Sequence, residues 1–147
     1  MDNHLLRHLL STISYRMTKA IQDAPPHYSD LEVGKGVRKP VEILNHMSYV
    51  LLLMVKCYQE HRHGDLEISS WETEVDRIYT ILEQLDTILS DEIIPTGMTV
   101  EQLLQGPMSD ALTHVGQLIM LRRLADSPVP GERYTMADIR IGQIRPK

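Results

Sequence analysis

The chain has 147 residues, enough for one domain, and its 42% apolar and 24% charged residues are typical of a globular protein. Twenty acidic residues against 15 lysines and arginines give a net charge of −5, which argues against general nucleic-acid binding. One cysteine, Cys57, excludes an internal disulfide. No apolar run approaches the roughly 20 residues that span a bilayer, and the first residues do not resemble a secretory signal. We therefore expect a cytoplasmic protein without membrane contact.

The first predicted helix runs from about Asp2 to Gln22, where apolar residues recur every three or four positions. Pro25 and Pro26 end it, and residues 27–39 form a predicted loop. With no phenylalanine and eight methionines, the core must consist mainly of Leu, Ile, Val and Met, which favours packing between helices.

The second predicted helix begins at Pro40, whose missing N–H is harmless in a first turn, and runs towards Gln59. Its apolar arc is broad, so we expect it to be the most buried helix. Residues 61–65 form a predicted polar turn. The third helix begins where Ser69 and Glu72 have the spacing of a capping box, and it ends before Pro95.

A second capping pair, Thr99 and Gln102, predicts a short helix. The fourth long helix is predicted from Pro107 to about Ala125, and residues 131–147 form a tail without a strong pattern. Four long helices of matched length predict an all-α fold, an up-down-up-down four-helix bundle with a short extra helix. We place the bundle in residues 1–130 and treat residues 131–147 as a tail of the same domain.

Three polar residues on the apolar faces of helices are candidate metal ligands. His46 lies inside the second helix, where an imidazole without a partner would cost about 1–3 kcal/mol. Asp110 and His114 stand four residues apart, on one face of the fourth helix. If they face His46, two imidazoles and a carboxylate form a three-ligand site with open coordination positions. The alternatives are a hydrogen-bonded core histidine and an Asp110 that complements the helix dipole, and spacing alone does not decide between them.

Other polar residues are less suited to a metal site. His4 and His8 are also four apart, but they lie near the terminus on a face that we expect to be solvated. His61 and His63 lie in the predicted turn. Glu42, one turn before His46, would either orient that imidazole or be solvated, and Glu42 and Tyr49 are the only candidates for a general base. The catalytic residues are therefore unassigned.

The sequence resembles the DinB/YfiT-like superfamily in three places. Residues 109–118, SDALTHVGQL, resemble the last core helix of that family, and residues 40–46, PVEILNH, resemble its segment with the first histidine. The glycine-rich approach at residues 33–38, VGKGVR, fits the same pattern. Together with the predicted helices, the resemblance covers the chain as far as Pro130.

This resemblance implies a four-helix bundle, usually a homodimer, that holds a divalent metal between three histidines. The first histidine corresponds to His46 and the third to His114, whereas the middle position is Asp110 instead of histidine. A carboxylate still ligates Zn²⁺, Ni²⁺, Mn²⁺ or Fe²⁺, but the replacement is also what a chain that has lost the metal would show. Relatives include thiol-dependent transferases and isomerases.

Three functions follow as hypotheses. The first is a metal-dependent hydrolase or thiol transferase that acts on a small-molecule substrate at His46, Asp110 and His114. The second is a metal-free helical module that dimerises or binds a partner. The third is a small-molecule pocket without catalysis.

Overall fold

The computed structural model describes residues 3–60 and 66–147, and within them it contains helices and no strand. The all-α class expected from the sequence is therefore confirmed. Residues 61–65, which include the predicted polar turn with His61 and His63, lie outside the described part. The elements in chain order are α1 (His4–Ile21), α2 (Pro40–Val55), α3 (Trp71–Ser90), α4 (Val100–Leu103), a π-helical turn (Leu104–Met108), α5 (Ser109–Leu124) and a 3₁₀ turn (Tyr134–Met136).

Three of the predicted helix boundaries were wrong. The N-cap of α3 is Ser70, whose hydroxyl accepts a hydrogen bond from the Thr73 N–H at 3.2 Å. Ser69 instead donates its N–H to the buried Glu74 carboxylate at 2.8 Å, so it takes no part in a capping box with Glu72. The second error is at α2, which ends at Val55 rather than near Gln59.

The second capping pair is confirmed, because Thr99 and Gln102 exchange hydrogen bonds of 2.9 and 3.1 Å. The predicted helix start at Pro107 is wrong, since α4, the π-turn and α5 follow one another without a break. Pro107 has no N–H to donate, and the wider π-turn accommodates it. Asp110 therefore does not lie at a free helix N-terminus, which removes the basis of the dipole alternative.

The core lies among α1, α2, α3 and α5, where α1 and α2 each contact both α3 and α5. Among the described residues, the largest fully buried side chains are Tyr28, Leu10, Ile13, Met17, Ile43, Leu44, Met47, Leu51, Met54, Ile78, Leu82 and Leu85. More of them come from α2 than from any other helix, as its broad apolar arc predicts. Leu5 is an exception to the predicted apolar face of α1, because 79% of it is exposed.

Polar contacts at both ends of α1 give its direction relative to two neighbours. Near its start, Arg7 makes a two-pronged ion pair with Asp86 near the end of α3, with both N···O distances 3.0 Å, so α1 and α3 are antiparallel. Near its end, the Ala20 carbonyl accepts from the Arg122 guanidinium at 3.0 Å, close to the end of α5. The helices α1 and α5 therefore run in the same direction.

The helices α2 and α3 also run in the same direction. Near their starts, Asn45 donates to the Glu74 carboxylate at 3.3 Å, and beyond their ends the Thr96 N–H donates to the Cys57 carbonyl at 2.7 Å. This pairing differs from the strict up-down-up-down order expected from the sequence. The Leu66 carbonyl, which precedes α3, accepts from Asn45 at 3.2 Å, so α3 begins beside the first half of α2.

The tail packs on α1 and α3. Ile144 is buried in the core, and its carbonyl accepts from the Ser14 hydroxyl of α1. Arg145 forms ion pairs with Asp76 at 2.9 Å and Glu83 at 3.0 Å on α3. The division at residue 130 stays a prediction. Across residues 3–60 and 66–147, no helix combines the length and apolar character needed to cross a membrane.

Candidate metal centre

The three residues proposed as ligands meet between α2 and α5. One nitrogen of His46, one nitrogen of His114 and a carboxylate oxygen of Asp110 all lie within 4.8 Å of one another. The two imidazole rings are 4.6 Å apart between centroids and tilted by 43°. The spacing of Asp110 and His114 put both on one face of α5, and the packing of α2 against α5 turns that face towards His46.

His114 is held in one orientation by the backbone of its own helix. It is buried, and its Nδ1 lies 2.7 Å from the Asp110 carbonyl oxygen. A carbonyl only accepts, so Nδ1 is the protonated nitrogen in this contact, and in the neutral tautomer that it selects Nε2 has the free lone pair. Metal-binding histidines commonly donate their second N–H to a carbonyl in this way, which fixes the ring and its tautomer.

The Asp110 carboxylate contains an unpaired buried oxygen. Although 37% of the side chain is exposed, Oδ2 itself is buried and has no hydrogen-bond partner. It lies 3.4 Å from Nε2 of His46 and 3.4 Å from Nδ1 of His114, without hydrogen-bond geometry to either. A buried polar atom left unpaired costs about 1–3 kcal/mol.

The distance from His46 to Asp110 fits two ligands of one ion. Zinc bonds to imidazole and carboxylate are about 2.0–2.1 Å long, so two ligand atoms on a tetrahedral ion are about 3.3 Å apart. The observed separation between Nε2 of His46 and Oδ2 of Asp110 is 3.4 Å. A cation between these atoms would satisfy Oδ2, which no donor of the described chain satisfies.

The surroundings of His46 favour its neutral form. Burial lowers the pKa of His46, and the positive charge of Arg38 and the neighbouring His114 lower it further, while Asp110 opposes these effects. Neutral imidazole is the form that binds metal ions, because the proton and the metal compete for the same lone pair.

A cleft of about 230 Å³ opens beside His46, lined by Arg38, Glu42, Asn45, Tyr49, Leu66 and Ile68 as well. Glu42 does not orient the imidazole of His46 by any hydrogen bond among the described residues. Its Oε1 accepts from the Lys39 N–H at 2.8 Å and so serves the start of α2. Tyr49 is half-buried in the cleft, and its role as a base stays a prediction.

The other histidine pair and the cysteine lie elsewhere. His4 and His8 are exposed on α1, as expected. Cys57 is buried just after α2, where burial raises the pKa of its thiol, and it packs as a small apolar residue.

Sequence reasoning missed a second polar cluster, which lies between α2 and α3. Glu74 is fully buried and accepts from Ser69, Asn45 and Arg77, the last at 2.7 Å. The signal was present, because Glu74 stands four residues before Ile78 on the apolar face of α3 and interrupts it with a charge.

Comparison with known proteins adds no relative: no protein-family model, no curated protein and no solved structure matches this chain. What the fold and site define is therefore a class, an all-helical chain with a His-Asp-His cluster between two of its helices.

Proposed function

We propose that the chain is a four-helix bundle of the DinB/YfiT type that binds a divalent metal ion through His46, Asp110 and His114. The observation that carries the proposal is the buried Oδ2 of Asp110, which lies 3.4 Å from Nε2 of His46, has no hydrogen-bond partner among the described residues and belongs to a group of one ligand atom each from His46, Asp110 and His114 within 4.8 Å of one another. Two neutral imidazoles and one carboxylate suit Zn²⁺, Ni²⁺, Mn²⁺ or Fe²⁺. Three protein ligands leave coordination positions for water or substrate.

The reaction that this centre supports best is metal-dependent hydrolysis or thiol transfer on a small molecule. A bound divalent ion would lower the pKa of the water or thiol that it holds. The role of the protein itself would be to hold the ion through His46, Asp110 and His114, to keep His114 in one tautomer and to offer the cleft beside His46 for the substrate.

Equilibrium dialysis against each of the four metals, followed by elemental analysis, tests the centre. We expect about one ion per chain, lost in His46→Ala and in His114→Ala. His8→Ala is the matched control, because it removes an exposed histidine of α1 and should retain the ion. Metal content that stays the same in all three variants would refute the assignment.

The 3.4 Å contact between His46 and Asp110 also favours a second candidate, a metal-free module for dimerisation or partner binding. In such a module the His46 imidazole would bond to the Asp110 carboxylate. In that module the neutral imidazole of His46 would donate its Nε2–H to the Asp110 carboxylate, a contact that needs no charge on the ring. Chelator treatment separates the two. The metal-free module keeps its melting temperature, whereas a bound ion stabilises the fold by mass action.

The resemblance adds a homodimer to the proposal, and the cytoplasmic location stays an expectation from the sequence. Light scattering coupled to size exclusion, with and without the metal, tests the dimer.

A further inference from the structure

The tail, residues 131–147, is attached to the helices at few points. Ile144 is its only buried residue and the only one that belongs to the hydrophobic core. Among the described residues, no hydrogen bond between two backbone groups joins the tail to a helix. The backbone bonds of the tail stay within it, as from the Gln143 N–H to the Arg140 carbonyl at 3.2 Å. Side chains therefore provide most of the attachment.

The first attachment holds the start of the tail against the second half of α1. Glu132 accepts a hydrogen bond from the Tyr15 hydroxyl, and its carboxylate lies 3.8 Å from the Lys19 ammonium. The guanidinium of Arg16 lies over the ring of Tyr134, 4.0 Å from its centroid. These contacts keep the tail beside the helix where it begins.

The second attachment is made by Ile144 and Arg145. The side chain of Ile144 enters the core, and its carbonyl accepts from the Ser14 hydroxyl of α1. Arg145 pairs with Asp76 at 2.9 Å and with Glu83 at 3.0 Å on α3. These three charged side chains are 38%, 71% and 49% exposed, so water and salt screen their attraction. One buried isoleucine and a screened group of charges therefore hold this end.

A cavity of about 510 Å³ lies beneath the tail between its two attachments. Ser11, Thr18 and Gln22 of α1 line one side of it, and residues 138–147 of the tail line the other. This space separates part of the tail from α1. Lifting the second attachment would therefore break few contacts other than those of Ile144 and Arg145.

We propose that the tail is a latch that opens from the helices as a unit and that Ile144 and Arg145 hold closed over the cavity. Segments with few buried apolar contacts open locally at a lower free energy than the whole fold. Opening leaves the helical core in place, because Ile144 is the only tail residue in it. It widens the cavity and uncovers the groove between α1 and α3 in which Ile144 and Arg145 lie. This inference does not depend on the metal centre.

Thiol labelling of Ser14→Cys in the full chain tests the latch, with peptide mass spectrometry to locate the label. Ser14 is fully buried and contacts the Ile144 carbonyl, so a thiol at this position becomes accessible when the tail lifts. Ser48→Cys is the matched control, because Ser48 is equally buried inside α2. We expect labelling at position 14 to be at least about tenfold faster than at position 48. Equal rates would overturn the inference, because the tail would then open only together with the helices.

Variants of the second attachment identify what holds the latch closed. Added to Ser14→Cys, Ile144→Ala should speed labelling at least about tenfold and Arg145→Gln about threefold or more. Both should leave the labelling of Ser48→Cys unchanged. Arg140→Gln is the control for the charge, because Arg140 pairs with Asp138 inside the tail and should have no effect. An unchanged rate in Ile144→Ala or Arg145→Gln, or an equal rise at positions 14 and 48, would overturn the inference.

Discussion

Two carboxylates from different helices, α3 and α5, approach α2 at neighbouring residues, and their surroundings differ. On the α3 side, Glu74 is fully buried and has three donors from the chain itself: the Ser69 N–H at 2.8 Å, Asn45 at 3.3 Å and Arg77 at 2.7 Å. On the α5 side, Asp110 has a buried Oδ2 without any hydrogen bond.

The difference separates a carboxylate that serves the fold from one that is suited to an external partner. Buried polar groups in folded proteins are nearly all paired, so an unpaired one requires an explanation. Glu74 needs no external ligand, because its neighbours supply the hydrogen bonds that it lost from water. Oδ2 of Asp110 lies 3.4 Å from a nitrogen of each of two imidazoles, a side chain that commonly binds metal ions.

The largest expected effect comes from removing the Glu74 carboxylate on the α3 side. Glu74→Ala should lower the free energy of unfolding by about 3 kcal/mol, because it leaves Asn45, Arg77 and a backbone N–H without their acceptor. Urea denaturation measures the change. Glu72→Ala, which removes an exposed carboxylate from the same turn, should cost less than about 0.5 kcal/mol. Equal costs for the two variants would contradict the structural role of Glu74.

The second prediction concerns the α5 side. Zinc at about a hundred times its dissociation constant should stabilise the native chain by about 2.7 kcal/mol and should not stabilise Asp110→Asn. Without metal, Asp110→Asn should be about as stable as the native chain, because the buried Oδ2 has no hydrogen bond for the substitution to break. Thermal unfolding with zinc and with chelator measures both effects. Asp30→Asn, an exposed control, should keep the zinc response.

A smaller effect sharpens the assignment of the start of α3. Ser70→Ala should cost about 1 kcal/mol, because it removes the hydroxyl that accepts from the Thr73 N–H. Ser69→Ala should cost much less, since the contact of Ser69 with Glu74 uses its backbone N–H, which alanine keeps. Urea denaturation of both variants compares them, and a larger cost for Ser69→Ala would contradict this cap.

The smallest effect is a pH dependence in the metal-free chain. The pKa of His46 is lowered from its ordinary value of 6.5, so the unfolded chain binds this proton more readily than the folded one. The folded state therefore keeps its full stability above the ordinary histidine pKa and loses some of it as the pH falls through that value. Unfolding free energies at about pH 8 and about pH 5.5, with chelator present, should differ less in His46→Gln than in the native chain. An unchanged difference would contradict the shift.

The three candidate metal ligands show which part of the site a local sequence pattern predicts. Asp110 and His114 could be placed on one helix face from their spacing, because the geometry of a helix is independent of its neighbours. That His46 meets them depends on the packing of α2 against α5, which is a long-range contact. The unpaired state of Oδ2 was beyond prediction, since it depends on the angles between three side chains on two helices.

The start of α3 shows a feature that the local sequence pattern predicted only in part. The periodicity of α3 was predictable, and so was a serine cap near its start, but Ser69 was chosen over Ser70. Whether Ser69 or Ser70 caps α3 depends on Glu74. The buried Glu74 carboxylate accepts from the Ser69 N–H, and it is buried by contact with α2.

By itself, the sequence determined the all-helical class, the four long helices and the candidate ligands, because helix periodicity, proline and capping pairs act within a few residues. Tertiary structure decided the common direction of α2 and α3, the continuous passage from α4 into α5 and the convergence of His46 with Asp110 and His114. These features arise from contacts between residues far apart in the chain, where the core and its buried polar groups must be satisfied together.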